Sequence, residues 1–202
     1  MEFRLKLSKS SDEEDINEKD YRRMIGCLRY ILHMRPDLSF AVGISSRYMH
    51  NPKRSHSTAL KQILRYLRGT LSYGLFFKRM GKSELVGYND SSHNIYEDDG
   101  RSTTGHVFYL NSCPFSWCSK KQETVALSSC EAEFMAATKA AKQSIWLQEL
   151  LEEVTGESCG RVMIKIDNKS AISLTKTPVF HGRSKHIHKR YHFIRECRKW
   201  TS

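Results

Sequence analysis

Six cysteines (27, 113, 118, 130, 159 and 197) in 202 residues are too few and too scattered for a disulfide scaffold, which points to a reduced compartment. Long apolar runs are missing as well. Ala41-Val42-Gly43-Ile44 and Gly74-Leu75-Phe76-Phe77 are among the longest, against the roughly 20 residues a bilayer span needs, so no membrane partner is expected. The first residues, Met1-Glu2-Phe3-Arg4-Leu5-Lys6-Leu7, alternate apolar and charged side chains without an apolar h-region, and no secretory signal is expected. No repeat or low-complexity tract interrupts the chain. With 39% hydrophobic and 10% aromatic residues there is material for the cores of one or two small domains, which excludes wholesale disorder.

Acidic residues are scarce in two stretches. Residues 21–80 carry 12 basic side chains against 1 acidic, and 161–202 carry 11 against 2. Residues 1–20 and 81–160 have the opposite balance, with 4 against 7 and 6 against 12, and the whole chain stands at +11. Two basic blocks flanking an acidic one suit a nucleic-acid groove with carboxylates at its centre, since phosphates need cations and catalytic divalent metals need anionic ligands. A mosaic of solvated helix faces gives the same count.

Residues 1–20 read as a flexible acidic lead-in. Helical spacing begins at Tyr21 (Met24, Ile25, Leu28, Ile31, Leu32) and ends at Arg35-Pro36. A second helix holds Phe40, Val42, Ile44 and Tyr48 and stops at Asn51-Pro52. A third, about 57–68, places Leu60, Ile63, Leu64 and Leu67 on one face and exposes Lys61, Arg65 and Arg68. Residues 21–80 are thus a small basic all-helical segment. The period then changes. Strands are predicted at 73–77, 85–90, 106–110 and 114–118, with Asn111-Ser112 as a turn between the last two. A long helix is predicted over 129–154 with Gly156 as its stop, followed by a strand at 161–167 and a short helix at 168–174. The order gives a mixed α/β domain over 81–202.

Asp90 and Asp167 each close an apolar strand, where an α/β sheet exposes groups beside a rigid scaffold. One such aspartate alone more often caps a helix or a turn. The long helix offers Glu131 and Glu133. Ser128-Ser129-Cys130-Glu131 fits a capping box, in which Glu131 reaches back to the Ser128 N–H. At ~100° per residue, Ala132, Ala136, Ala140, Leu147, Leu150, Leu151 and Val154 form the buried stripe, with Glu133 at its edge and Glu131 on the far side. A carboxylate bordering a core must be paired or bind a metal, so Glu133 is the better catalytic candidate. Asp90, Glu133 and Asp167 are therefore the candidate catalytic and metal-binding residues. Three such acids can hold two Mg2+ or Mn2+ ions about 4 Å apart, one activating water and one stabilising the leaving 3′-oxygen of a phosphodiester.

Several motifs carry a family resemblance. They are Tyr21-Arg-Arg-Met-Ile-Gly-Cys-Leu-Arg-Tyr30, Arg35-Pro-Asp37, His56 through Leu64-Arg-Tyr-Leu-Arg-Gly-Thr70 and Gly87-Tyr-Asn-Asp90 in the first half. Asp99 through Gly105, Val125-Ala-Leu-Ser-Ser-Cys-Glu-Ala-Glu-Phe-Met-Ala-Ala137, Asp167-Asn-Lys-Ser-Ala-Ile172 and Lys185-His-Ile-His-Lys-Arg-Tyr-His-Phe-Ile-Arg-Glu196 follow. From about residue 20 onward the chain resembles the C-terminal part of Copia-type LTR-retrotransposon polyproteins, a reverse-transcriptase tail followed by an RNase H domain. The resemblance implies an RNase H-like mixed sheet with flanking helices and cleavage of the RNA strand of RNA–DNA hybrids. It implies Asp90, Glu133 and Asp167 as the metal-binding acids, and an intracellular setting in which other polyprotein parts are partners. The polymerase's paired-aspartate motif has no counterpart, so DNA synthesis is not expected. The chain stops at Lys199-Trp-Thr-Ser202, before the family's last strand, helix and fourth acid, and a truncated domain with a weakened second metal site is expected.

Arg183, Lys185, His186, His188, Lys189 and Arg190 can track phosphates and are the candidate nucleic-acid contacts. Cys113-x4-Cys118 with His188-x3-His192 formally resembles a zinc set, but its pairs stand in unrelated contexts, and buried thiols are the better reading. Trp117 and Trp146 read as core residues. Arg65-Tyr66-Leu67-Arg68 matches the short RxLR pattern of secreted effectors, although it lies inside an amphipathic helix. The sequence thus leads to an RNase H-like nuclease. An inactive remnant that binds nucleic acid is the alternative, and a secreted effector is a third.

Overall fold

The computed structural model describes residues 7–9, 12–78, 84–96, 98–176 and 193. They fall into two compact units, one formed by 1–76 with 94–101 and the other by 77–93 with 102–202.

The first unit is all-helical, as the 3.6-residue period requires. Asn17 caps α1 (Glu18–Ile31), its side chain accepting from the Lys19 and Asp20 N–H groups, and Glu18 and Asp20 complement the helix dipole. A 3-10 turn, Pro36–Leu38, leads into α2 (Ser39–Ser45), and a second, Ser46–Tyr48, follows it. The helix predicted through Tyr48 is therefore shorter, while α3 (Arg54–Gly69) begins before residue 57. Tyr21, Ile25, Leu28, Leu38, Val42, Leu60 and Ile63 form the core, and the buried Tyr21 hydroxyl donates to the Ser45 carbonyl at 2.9 Å.

The described part of the acidic lead-in lies against the start of α3. Ile16 N–H donates to Pro52 O, Arg54 N–H to Glu14 O, and Ser55 N–H to the Glu13 carboxylate. The last of these holds the Glu13 carboxyl below its ordinary range. Residues 94–101, placed by sequence with the second domain, pack here through Tyr96, which is buried with Leu7, Ile44, Tyr48 and Ala59 and carries the Arg47 guanidinium 3.8 Å above its ring.

His56 is fully buried in this unit. Its Nδ1 accepts from the Lys53 N–H at 2.8 Å, its Nε2 lies 3.1 Å from the Ser8 carbonyl, and its ring stacks on Tyr48 at 4.0 Å. This pairing requires the neutral Nε2–H tautomer. Burial pulls the imidazole pKa below its ordinary value. The unfolded chain then binds a proton that the folded chain refuses, so stability from this group is present above the unfolded pKa and lost as pH falls below about 6.5. Urea midpoints taken across that window are expected to fall with pH in the wild type, and to fall less steeply in His56→Gln.

No strand forms at 73–77. That segment is coil and enters no β-ladder among the described residues, with Phe76 80% and Phe77 64% exposed.

The second unit is a four-stranded mixed sheet in the order β3-β2-β1-β4. β1 (Leu85–Ser92), β2 (Thr103–Leu110) and β3 (Cys113–Lys121) form an antiparallel meander, and β4 (Met163–Ile166) returns parallel to β1. The turn predicted at Asn111-Ser112 is present, with Asn111 at φ 57°, a conformation asparagine tolerates. α4 (Ser129–Thr155) packs on the sheet and ends at Gly156 with φ 69°, and α5 (Lys169–Lys176) follows β4. Leu85, Phe108, Ala140, Leu147 and Leu151 make the core.

The predicted α4 stripe stands at Ala132, Ala136, Ala140, Leu147 and Leu151, with Leu150 half-buried. Val154 does not join it. It is 74% exposed in the final turn, past the last packed residue, Leu151. Trp146 is also not core: it stands ~100° round the helix from Leu147 and is 54% exposed, whereas Trp117 on β3 is half-buried.

Candidate metal centre

Parallel pairing decides where the two aspartates meet. Asn89 on β1 is in register with Ile166 on β4, so the next residues along each chain, Asp90 and Asp167, stand side by side. Asp90 lies within β1 rather than at its close, since the ladder to β2 continues through Ser91 and Ser92. Asp167 directly follows β4. Asn168, and not Asp167, caps α5, accepting from the Ala171 N–H at 2.9 Å. The capping role open to a lone aspartate is therefore filled by its neighbour.

The third acid comes from the first turns of α4. Ser128 accepts from the Glu131 N–H at 3.1 Å as the capping box predicts, but Glu131 reaches one residue further back, to the Leu127 N–H at 2.9 Å. Glu133 turns to the sheet and is 6% exposed. Its Oε1 accepts from the Ser91 N–H at 3.0 Å, while Oε2 is buried without a hydrogen-bond partner. One ligand oxygen from each of Asp90, Glu133 and Asp167 lies within 4.8 Å of the others.

This arrangement is costly for anions. Burial first, then the charges of Asp90 and Asp167, push the Glu133 carboxyl up to about 7, against the partial relief of the Ser91 hydrogen bonds. A buried oxygen without a donor, facing two further carboxylates, fits a divalent cation. The all-oxygen donor set favours Mg2+ or Mn2+ over a thiophilic metal.

Arg183, Lys185, His186, His188, Lys189 and Arg190 lie outside the described residues, as do His188 and His192 of the formal zinc set. Cys113 is buried and Cys118 half-buried, and burial raises the Cys118 thiol pKa, which disfavours the thiolate a zinc ion needs. The Ser91 backbone donor is invisible to sequence reasoning, because any residue but proline supplies an N–H there.

No protein-family model matches the chain. Over 190 residues, 94% of its length, it is 41% identical to the retrovirus-related Pol polyprotein from transposon RE1 of Arabidopsis thaliana. Over 201 residues it is 42% identical to that from transposon TNT 1-94 of Nicotiana tabacum. The chain is thus similar, over nearly its whole length, to a segment of transposon Pol polyproteins. It spans 13% of the length of the first polyprotein and 15% of the second. Another relative, secreted RxLR effector protein 161 of Plasmopara viticola, is 45% identical over 128 residues, which are 63% of this chain and 90% of that protein. Among solved structures, a foamy viral protease–reverse transcriptase in complex with dsDNA superposes with a TM-score of 0.56. The match covers 93% of this chain and 37% of that one at 14% identity. That likeness bears on the fold alone, a mixed α/β sheet with flanking helices.

Proposed function

We propose that this chain is a Copia-type Pol-polyprotein segment, a reverse-transcriptase tail over 21–80 joined to an RNase H-like domain over 81–202, that cleaves the RNA strand of RNA–DNA hybrids. The observation that carries this reading is the convergence of Asp90 and Asp167 from paired parallel strands on the buried Glu133 of α4. Mg2+ or Mn2+, when bound, supplies an activated water and charge neutralisation at the leaving 3′-oxygen. The protein's part is to hold the oxygens. Asp90 is held in the β1–β2 ladder opposite Gly105, Asp167 directly follows the β1–β4 pairing, and Glu133 is oriented by the Ser91 N–H. Arg183, Lys185, His186, His188, Lys189 and Arg190 are assigned to the phosphate backbone of the hybrid, with Lys and Arg as permanent cations.

The competing reading is a nucleic-acid-binding remnant without chemistry. A secreted effector is favoured by the name of the Plasmopara relative and by Arg65-Tyr66-Leu67-Arg68. Against it, that tetrapeptide is part of α3, and Leu67 packs on the helical core.

A strand-labelled RNA–DNA hybrid incubated with the full chain and Mg2+ separates the first two. Cleavage confined to the RNA strand, absent in EDTA and in Asp90→Asn, is the expected result. Equal background rates in the wild type and Asp90→Asn, with salt-sensitive binding retained, would leave the remnant.

A further inference from the structure

Gln122 directly follows β3 and is 1% exposed. Its backbone N–H donates to the Ser102 carbonyl at 2.8 Å. Its side-chain Nε2 donates in two directions, to Thr104 Oγ1 at 3.1 Å and to the Ala132 carbonyl at 3.0 Å. Thr104 is a fully buried residue of β2, and its partner across the ladder is Ser91 of β1. Ser91 supplies the N–H that holds Glu133 Oε1, and Ala132 immediately precedes Glu133 in α4.

These contacts close a ring. From Gln122 one arm runs through Thr104 and the β2–β1 ladder to Ser91 and the Glu133 carboxylate. The other runs to Ala132 and along one peptide to the Glu133 backbone. Few side chains fit this place: glutamate has the shape but no amide hydrogens, methionine the volume but no donor, and asparagine is one methylene short. With both acceptors buried, water cannot substitute without entering the core.

We propose that Gln122 is a positioning residue for the carboxylate cluster, its amide fixing the first turns of α4, and with them Glu133, against β1 and Asp90. The functional consequence rests on the metal-site reading above. The placement itself does not, and the two can be measured apart.

The test uses the full chain as wild type, Gln122→Met, Gln122→Glu and Thr104→Val, with two readouts: amide hydrogen exchange at Ser91 by NMR, and Mn2+ affinity by electron paramagnetic resonance. Gln122→Met and Gln122→Glu are expected to speed exchange at Ser91 while the β2–β3 ladder amides keep their protection, and to weaken Mn2+ binding about tenfold. Thr104→Val, which removes one acceptor and keeps the β-branched shape, moves both readouts the same way by less. Unchanged Ser91 exchange overturns the proposal, as does acceleration shared equally by the whole sheet, which marks a merely structural residue. Should the Gln122 variants fail to fold, Thr104→Val decides by the same two criteria. If Ser91 loosens as expected but wild-type Mn2+ binding does not depend on Asp90, the placement stands and the metal reading falls.

Discussion

Glu133→Gln is expected to make the metal-free protein more stable near neutral pH while reducing Mg2+-dependent hybrid cleavage by about 10²-fold or more. The two effects have one cause. The Glu133 carboxyl ionises only at about 7, because it is buried beside Asp90 and Asp167. Between its ordinary value of 4.5 and about 7 the folded chain binds a proton that the unfolded chain has released, so metal-free stability falls as pH rises through that window. The side-chain amide of the Glu133→Gln variant has no such titration, and its oxygen can still accept from the Ser91 N–H. A gain of about 1–3 kcal/mol at pH above 7 follows, read from urea midpoints in EDTA. Added Mg2+ should reverse the order of the two proteins, since only the carboxylate gains from the cation. A residue kept for structure alone would show a loss in both measurements. Opposite signs for stability and activity mark a group held under strain for binding.

Phe108→Ala is expected to destabilise the sheet unit by about 3–5 kcal/mol, a large part of the whole stability of a small domain. Phe108 is fully buried at the centre of the core with Ala140, Leu147 and Leu151 of α4. The strand opposite is shaped around it: a Cβ added at Gly87 would stand 2.5 Å from Phe108 Cε1 and 2.9 Å from Cδ1. Glycine at 87 is therefore the hole and Phe108 the knob that fills it. Truncating the ring leaves a cavity between β1 and α4, and adding a methyl at 87 forces the ring aside in a core with no room to yield. Gly87→Ala should accordingly cost about 1–3 kcal/mol by the opposite mechanism. Denaturant unfolding followed by tryptophan emission reads both, with Trp117 on β3 and Trp146 on α4 as reporters. Loss of less than ~1 kcal/mol in Phe108→Ala would mean the ring is not the keystone of this core.

Much of this architecture could be read from residues whose pattern is local. The alternation in 85–90 and 106–110 set the strands, and the alanine stripe of α4 set which of its faces meets the sheet. The angular offset between Glu131 and Glu133, two steps of ~100° along the helix, separated the capping carboxylate from the buried one. What local pattern cannot give is partnership. Tyr73–Phe77 has strand character but enters no β-ladder among the described residues, and it is coil with its phenylalanines exposed. The excursion 94–101 joins the helical unit through Tyr96, a contact made to residues far away in sequence. The β1–β4 pairing that seats Asp90 beside Asp167 is likewise long-range, as are the Ser91 N–H on Glu133 and the two hydrogen bonds of Gln122. The acids were legible one by one. Their grouping followed from strand ends and the helix stripe and was supported by the family resemblance, but the groups that orient them were not legible at all.

The central claim is that three carboxylates from two strands and a helix bind a divalent cation. Calorimetric titration of the full chain with Mn2+ at a pH near 7, alongside Asp90→Asn and Glu133→Gln, tests it most directly. The account predicts saturable binding to the wild type, with proton uptake by the buffer as the Glu133 carboxyl is deprotonated, and weakening of about 10-fold or more in either variant. Equal Mn2+ affinity in all three proteins would contradict it.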